Sequence, residues 1–205
     1  MSTGPFGRDG SCEPAIATRV REVADRLDAI GHDVAEVPDA EIMDLGALWA
    51  AFLGDWVGSA IELATAHPDP EPLLTPMVAR HYREAQRRTA LGAATSLRAN
   101  AVVTRSYGRF LERFDVLLTP VTPISAPAAG GAYSLLRDEP LETWIARFGD
   151  AGRYTMPFNE TGAPAIAIPT GPGPDGMPIG VQLGGDFGGE VRLLQVARQL
   201  EVTAS

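Results

Sequence analysis

Asn159 and Thr161 stand two residues apart in Pro157-Phe158-Asn159-Glu160-Thr161-Gly162, and Gln182 lies midway along Ile179-Gly180-Val181-Gln182-Leu183. An Asn amide and a Thr hydroxyl each donate and accept hydrogen bonds, so this pair can orient a polar ligand or a neighbouring loop. The plainer reading is that both satisfy backbone groups of a Pro/Gly-rich segment. A Gln between apolar neighbours must be hydrogen-bonded if buried, because an unpaired buried amide costs about 1–3 kcal/mol. Structural satisfaction and pocket lining both stay open for it. With Phe158 as their apolar companion, Phe158, Asn159, Thr161 and Gln182 form the candidate substrate-pocket set. Asn159, Thr161 and Gln182 are expected to face the side of an active site.

Other chemistries fit the residues less well. The histidines, His32, His67 and His81, are far apart and lack Cys or carboxylate partners at repeated ligand spacing, which argues against a zinc site. His81, beside Tyr82 and Arg83, reads as a surface residue. No G-x-S-x-G elbow supports a serine triad, although triads assemble in space. Gly171-Pro172-Gly173-Pro174-Asp175-Gly176 matches G-x-G-x-x-G by letter. It lies between two strand-like runs instead of opening a helix, and two of its positions are prolines without N–H donors, so it reads as a hairpin turn. Cys12 is the single cysteine, which excludes an internal disulfide. Arg80, Arg83, Arg87 and Arg88 read as a solvated helix face. The net charge of −9 argues against a generic nucleic-acid binder. No apolar run approaches membrane-span length and the N-terminus has no apolar signal core, so no membrane association is expected and cytoplasm is the default.

The elements that must position these residues can be read in order. Met1 to Glu13 is an irregular, Gly-containing lead-in. Pro14 suits the first turn of a helix, Ile16, Val20, Val23, Leu27 and Ile30 recur at helical spacing, and Gly31 stops it. His32 to Pro38 follows as a short strand. A helix feeding a strand is the second half of a βαβ unit, yet no apolar strand precedes Pro14, so a parent strand beside Val34–Val37 is wanting. Asp39 to Ala66 is helical in pattern and apolar over more than one face, and Trp49, Phe52 and Trp56 in it read as core or, alternatively, as a pocket wall. Prolines at 68, 70 and 72 break the chain. Thr75-Pro76 opens a helix expected to run to about Arg113 with an interruption near Gly92 to Ser96. Val116 to Leu118 is a short buried strand, and Glu142 to Phe148 a short helix. Met156 to Pro164 reads as irregular. Ala165–Ile168 and Ile179–Leu183 form a hairpin, expected to be the most buried part, and Glu190 opens an amphipathic helix carrying Leu193, Val196, Ala197 and Leu200.

Pro157 to Ala165, Asp175 to Gln182 and Glu190 to Leu200, preceded by Phe114 to Pro120 and Thr122-Pro123, resemble in order and spacing the C-terminal end of the amidase signature family. The likeness is good from about Thr95 to Glu201 and looser from Pro14 to Pro38. Arg105 to Pro120 and Gly184 to Leu200 look most like the bacterial branch that includes 6-aminohexanoate-cyclic-dimer hydrolases. The resemblance implies a three-layer α/β/α fold, with helices on a partial mixed sheet, and hydrolysis of a carboxylic amide. It also implies a nucleophilic Ser, a second Ser on a cis peptide and a Lys, all in a Gly/Ser-rich N-terminal half. This sequence has no Gly-Gly-Ser-Ser stretch, and all 17 basic residues are Arg. A guanidinium stays protonated and cannot replace the Lys base. None of the family's catalytic residues therefore maps onto a position here.

The expectation is that residues 14–205 are the C-terminal part of one amidase-like domain, inactive alone. The partner is an N-terminal amidase half or a second copy, and the substrate of the completed enzyme a small amide. No cofactor or metal is required, since Ser attack and an oxyanion hole suffice. The alternative is a non-catalytic remnant or binding module that uses an exposed sheet or helix face.

Overall fold

A computed structural model describes residues 1–202; for residues 55–65, inside a helix, it describes the backbone only. The helices are α1 (Pro14–Ala29), α2 (Asp39–Ile42), α3 (Leu45–Ala66), α4 (Pro76–Gln86), α5 (Ala90–Leu111), α6 (Leu141–Gly152), α7 (Met156–Thr161) and α8 (Glu190–Val202). The strands are β1 (Leu117–Pro120), β2 (Ala165–Pro172) and β3 (Pro178–Gly184). They lie in the order β1-β3-β2, and both pairs are antiparallel; no parallel pair occurs among the described residues.

Side-chain alternation along the strands builds two cores, one on each face of the sheet. Leu118, Val181 and Leu183 point toward α1 and α8, where they pack on Val20, Val23, Leu27, Leu193, Ala197 and Leu200. Leu117 points the other way and joins Tyr107 and Phe110 of α5, Phe158 of α7 and Leu48 and Phe52 of α3. The result is the expected α/β/α layering. The helical spacing read for α1 is its buried stripe, with Ile16, Val20, Val23 and Leu27 all buried. Each such side chain contributes about 1.5–3 kcal/mol of gross transfer free energy. Gly31 ends this segment at φ +99°, a conformation that a Cβ disfavours.

Several expectations need correction. Residues 32–38 carry no assigned strand. The place of a parent strand beside them is held by Met1 and Ser2: the Met1 amino group donates to the Ala35 carbonyl, Val37 N–H to the Met1 carbonyl (2.9 Å), and Ser2 N–H to Leu118 O of β1 (3.0 Å). The lead-in is irregular but anchored, with Phe6 fully buried. The break between α4 and α5 falls at residues 87–89, ahead of Gly92, because Thr89 caps α5 by accepting from Gly92 N–H. Met156–Thr161 is helical where irregular chain was expected; Pro157 suits its first turn and Gly162, at φ +72°, closes it. The hairpin is unevenly buried. Val181, Gln182, Leu183 and Gly184 of β3 are buried, whereas β2, at the sheet edge, exposes Ala165, Ala167 and Pro169. Of the aromatic trio on α3, Trp49 and Phe52 pack edge to face at 5.7 Å, and Trp56 lies outside the described side chains.

The Arg cluster on and after α4 is mostly paired on the surface: Arg80 with Asp138, Arg83 with Glu71 and Arg87 with Glu84. Arg88 instead turns inward and donates to Gly54 O (2.6 Å). The G-x-G-x-x-G stretch is the hairpin turn, closed by Gly173 N–H to Met177 O (2.7 Å) with Gly176 at φ +80°. Among the described residues, no helix is long and apolar enough to cross a membrane.

Candidate functional site

The β1–β3 register sets Thr119 opposite Gln182, on the face that looks toward α5 and α7. The buried Gln182 amide donates to Tyr154 O (2.8 Å) and Thr119 Oγ1 (3.3 Å). Gln182 thereby ties two strands to the turn that leads into α7. Thr161 is also buried; its hydroxyl donates to Pro157 O (2.7 Å) and accepts from Ala163 N–H (3.2 Å), which secures the end of α7. Phe158 packs edge-on against Tyr107, with ring centroids 6.0 Å apart. Asn159 is exposed on the outer side of the same short helix. Three of the four candidates are therefore inside, on or against α7, and the fourth faces solvent.

Around Tyr154 the lead-in is fastened to this network. The Tyr154 hydroxyl reaches Thr3 O (3.1 Å) and Gly4 O (3.0 Å). Arg153, fully buried, donates to Gly10 O and to Asp150 (3.0 Å). Burial pushes the Tyr154 phenol well above its usual range, with Cys12 adding to the rise and Arg153 opposing it. Burial also pushes the Cys12 thiol up, against the hydrogen bond from Tyr154 and the charge of Arg153, so it stays protonated at neutral pH.

The largest cavity, about 870 Å³, lies next to this network. It opens between α4, α6 and the ends of β1 and β3, and Met77, His81, Ile124, Trp144, Phe148 and Ile179 supply much of its wall. Trp144 and Phe148, one helical turn apart on α6, stack at 4.7 Å and 12° to form a flat aromatic side. No Asp, Glu, Lys or Arg lines the cavity. Most of its hydroxyls are already engaged: Thr122 donates to Ile124 O (2.9 Å), Thr155 to Gly152 O (3.0 Å) and Ser125 to Glu13 (3.1 Å). Tyr133 brings a phenol whose ionisation is pushed up by partial burial and by Asp150, against Arg147. His81 is buried, not on the surface as its sequence neighbours suggest.

None of Phe158, Asn159, Thr161 or Gln182 lines this cavity; Thr155, beside Tyr154, does. Sequence reasoning missed its wall. The only available signal was the four-residue spacing of Met77 with His81 and of Trp144 with Phe148, which reads equally as ordinary core. No group of three or more His, Cys, Asp and Glu able to hold a metal ion occurs among the described residues.

The arrangement is thus an apolar recess beside a sheet-to-helix turn, without a lysine to serve as base. The sequence profile of the amidase family matches residues 6–194, nearly the whole chain. The chain belongs to the amidase family. Amidase relatives include a glutamyl-tRNA(Gln) amidotransferase polypeptide of Synechococcus sp. (strain CC9902), 31% identical over 97% of this chain and 42% of that protein. The 6-aminohexanoate-cyclic-dimer hydrolase of Paenarthrobacter ureafaciens is 30% identical over 98% of this chain and 42% of that protein. A solved structure of 6-aminohexanoate cyclic dimer hydrolase complexed with substrate superposes with a TM-score of 0.82 at 29% identity, covering 98% of this chain and 44% of that one. The likeness to that branch, read from residues 105–120 and 184–200, is thus found in sequence and structure alike. The chain spans about two fifths of the length of these amidases.

Proposed function

We propose that this chain supplies the C-terminal, pocket-forming part of a hydrolase of carboxylic amides, acting on C–N bonds other than peptide bonds. In this reading the nucleophilic Ser, the relay Ser and the Lys base reside in an N-terminal half that completes the enzyme. The observation that carries the reading is the family match over residues 6–194 in a chain without a single Lys. The span of 42% of its relatives supports it. So does the edge strand β2, whose exposed Ala165 and Ala167 are small enough for a neighbouring strand or helix to approach closely. The chain is the C-terminal part of one domain, and the N-terminal half is the partner that covers this edge; a second copy of the chain is the other occupant. Asn159, exposed on α7, offers its amide toward that partner or a substrate, while Phe158, Thr161 and Gln182 hold α7 in place behind it.

The reaction needs no cofactor in this scheme, since an activated Ser and preorganised N–H donors carry amide hydrolysis. The test is to express the chain alone and together with the N-terminal portion encoded upstream, or with the N-terminal portion of the Paenarthrobacter hydrolase. Hydrolysis of simple amides and labelling by a serine-directed fluorophosphonate are then measured. The expected result is no turnover or labelling by the chain alone and both by the pair. Labelling and turnover by the isolated chain, abolished by changing a Ser within residues 1–202, would overturn the reading.

A further inference from the structure

The cavity bounded by α4, α6 and the strand ends carries more information than the family match does. We propose that it is the subsite for the body of the amide substrate and that it selects neutral, apolar amides against amides bearing a free carboxylate or ammonium group. The inference rests on the amide-hydrolase reading for the reaction, but its test reads binding alone.

Volume comes first. About 870 Å³ falls within the roughly 300–1,000 Å³ typical of small-molecule sites. Chemistry comes second. Ile16, Met77, Ile124 and Ile179 present hydrocarbon, and the stacked Trp144–Phe148 pair presents a ring face. No lining side chain can pair with a carboxylate, and none carries a negative charge to pair with an ammonium. The hydroxyls of Thr122, Ser125 and Thr155 are turned into bonds with the protein itself, so they do not await a ligand. A charged group moved into such a recess loses its water and gains no partner. A methylene moved into it gains the full transfer term. The polar handle is at one side: Tyr133 brings its phenol to the cavity, and its raised ionisation keeps that phenol a donor. The amide group itself therefore belongs at the mouth, with the apolar body inside.

The full chain is titrated with butanamide, pentanamide, hexanamide and octanamide, and with two amides of hexanamide length that end in charge, 6-aminohexanamide and adipamate. Binding is read by saturation-transfer NMR and by indole fluorescence, with Trp144→Phe identifying the reporting ring. Affinity is expected to rise about fourfold per added methylene. Both charged amides are expected to bind about tenfold more weakly than hexanamide, or worse. Val78 lines the cavity from α4 and is only half-buried, so Val78→Arg is tolerated by the helix and puts a cation in the recess. That variant should lose hexanamide and gain adipamate. Ala151→Phe, which fills the recess without adding charge, should weaken every ligand alike. Affinity that is flat with chain length, or hexanamide and its charged analogues binding alike, overturns the proposal. So does failure of every alkanamide to bind. Selective binding without hydrolysis by the completed enzyme would refute the proposed function and leave this inference standing. Hydrolysis without selectivity would do the reverse.

Discussion

Replacing Gly184 by Ala isolates one packing constraint. Gly184 ends β3, between Leu117 of β1 and Ala165 of β2. Its backbone lies outside the left-handed region, so alanine brings no conformational strain and sterics alone decide. A Cβ there would stand 2.2 Å from Phe158 Cζ, 2.3 Å from Phe158 Cε1 and 3.0 Å from the Tyr107 hydroxyl. Carbon atoms settle at about 3.5–4.0 Å, so the Phe158 ring must retreat by more than about 1 Å. Its retreat is blocked, because Phe158 is buried edge-on against Tyr107, itself stacked on Phe110. Overpacking of this kind costs about 1–3 kcal/mol, and the depth of the overlap puts Gly184→Ala at about 2–3 kcal/mol. For a chain of this size that lowers Tm by about 4–12 °C. The assay is thermal and urea unfolding followed by circular dichroism, in the wild type and in a Phe158→Leu background. Leucine removes the far edge of the ring, so Gly184→Ala should there cost less than about 0.5 kcal/mol, giving a coupling energy near 2 kcal/mol. An equal loss in both backgrounds, or a near-neutral Gly184→Ala in the wild type, would refute the reasoning.

Further outcomes are expected. Gln182→Met keeps the volume but leaves Tyr154 O without its donor, so urea unfolding should report a loss of about 1–3 kcal/mol. The buried Tyr107 hydroxyl has no hydrogen-bond partner among the described residues, so Tyr107→Phe should be neutral or stabilising in the same assay. Burial raises the phenols of Tyr107 and Tyr154; that stabilisation is complete below the unfolded value near pH 10 and is lost as pH rises above it, so alkaline melts should fall in step with phenolate absorbance, less steeply in Tyr107→Phe. At the acid end the hydrogen bond from Arg147 holds the Glu139 carboxyl below its usual 4.5; its contribution is present above that pH and lost as pH falls through the lowered value, so Glu139→Gln should flatten the acid limb of the stability profile.

Elements whose cause is local were legible in the sequence. Pro14 and Gly31 bracket α1, the turn residues 173–177 close the hairpin, and Glu190 opens α8, each as read. What failed was set by distant partners. Residues 32–38 have strand-like composition, yet only the two-residue stretch Met1–Ser2 lies beside them, too short for a ladder. Met156–Thr161 looks broken by Pro157 and Gly162, but those residues sit where a short helix starts and stops. The alternation of β2 gave no sign that it would be an edge. For the site, the need of Gln182 for a partner was readable and is met by Tyr154 O and Thr119, but which partner it takes depends on the register of β1 with β3. The cavity was not readable at all, because Met77 and Trp144 are 67 residues apart and only the tertiary fold brings their helices together.

The core beneath one face of the sheet is stitched from the two ends of the chain: Val20, Val23 and Leu27 on α1 meet Leu193, Ala197 and Leu200 on α8. On a ribosome these halves are separated in time. At about 5–20 residues per second, roughly 8–33 s pass between the synthesis of Leu27 and that of Leu193. Throughout that interval α1 carries an apolar stripe with no sheet behind it and no α8 beside it. A nascent chain of this kind is a natural client for a trigger-factor-type holdase. A stop codon placed even two turns early, removing Leu193 onward, would leave that stripe uncovered for good.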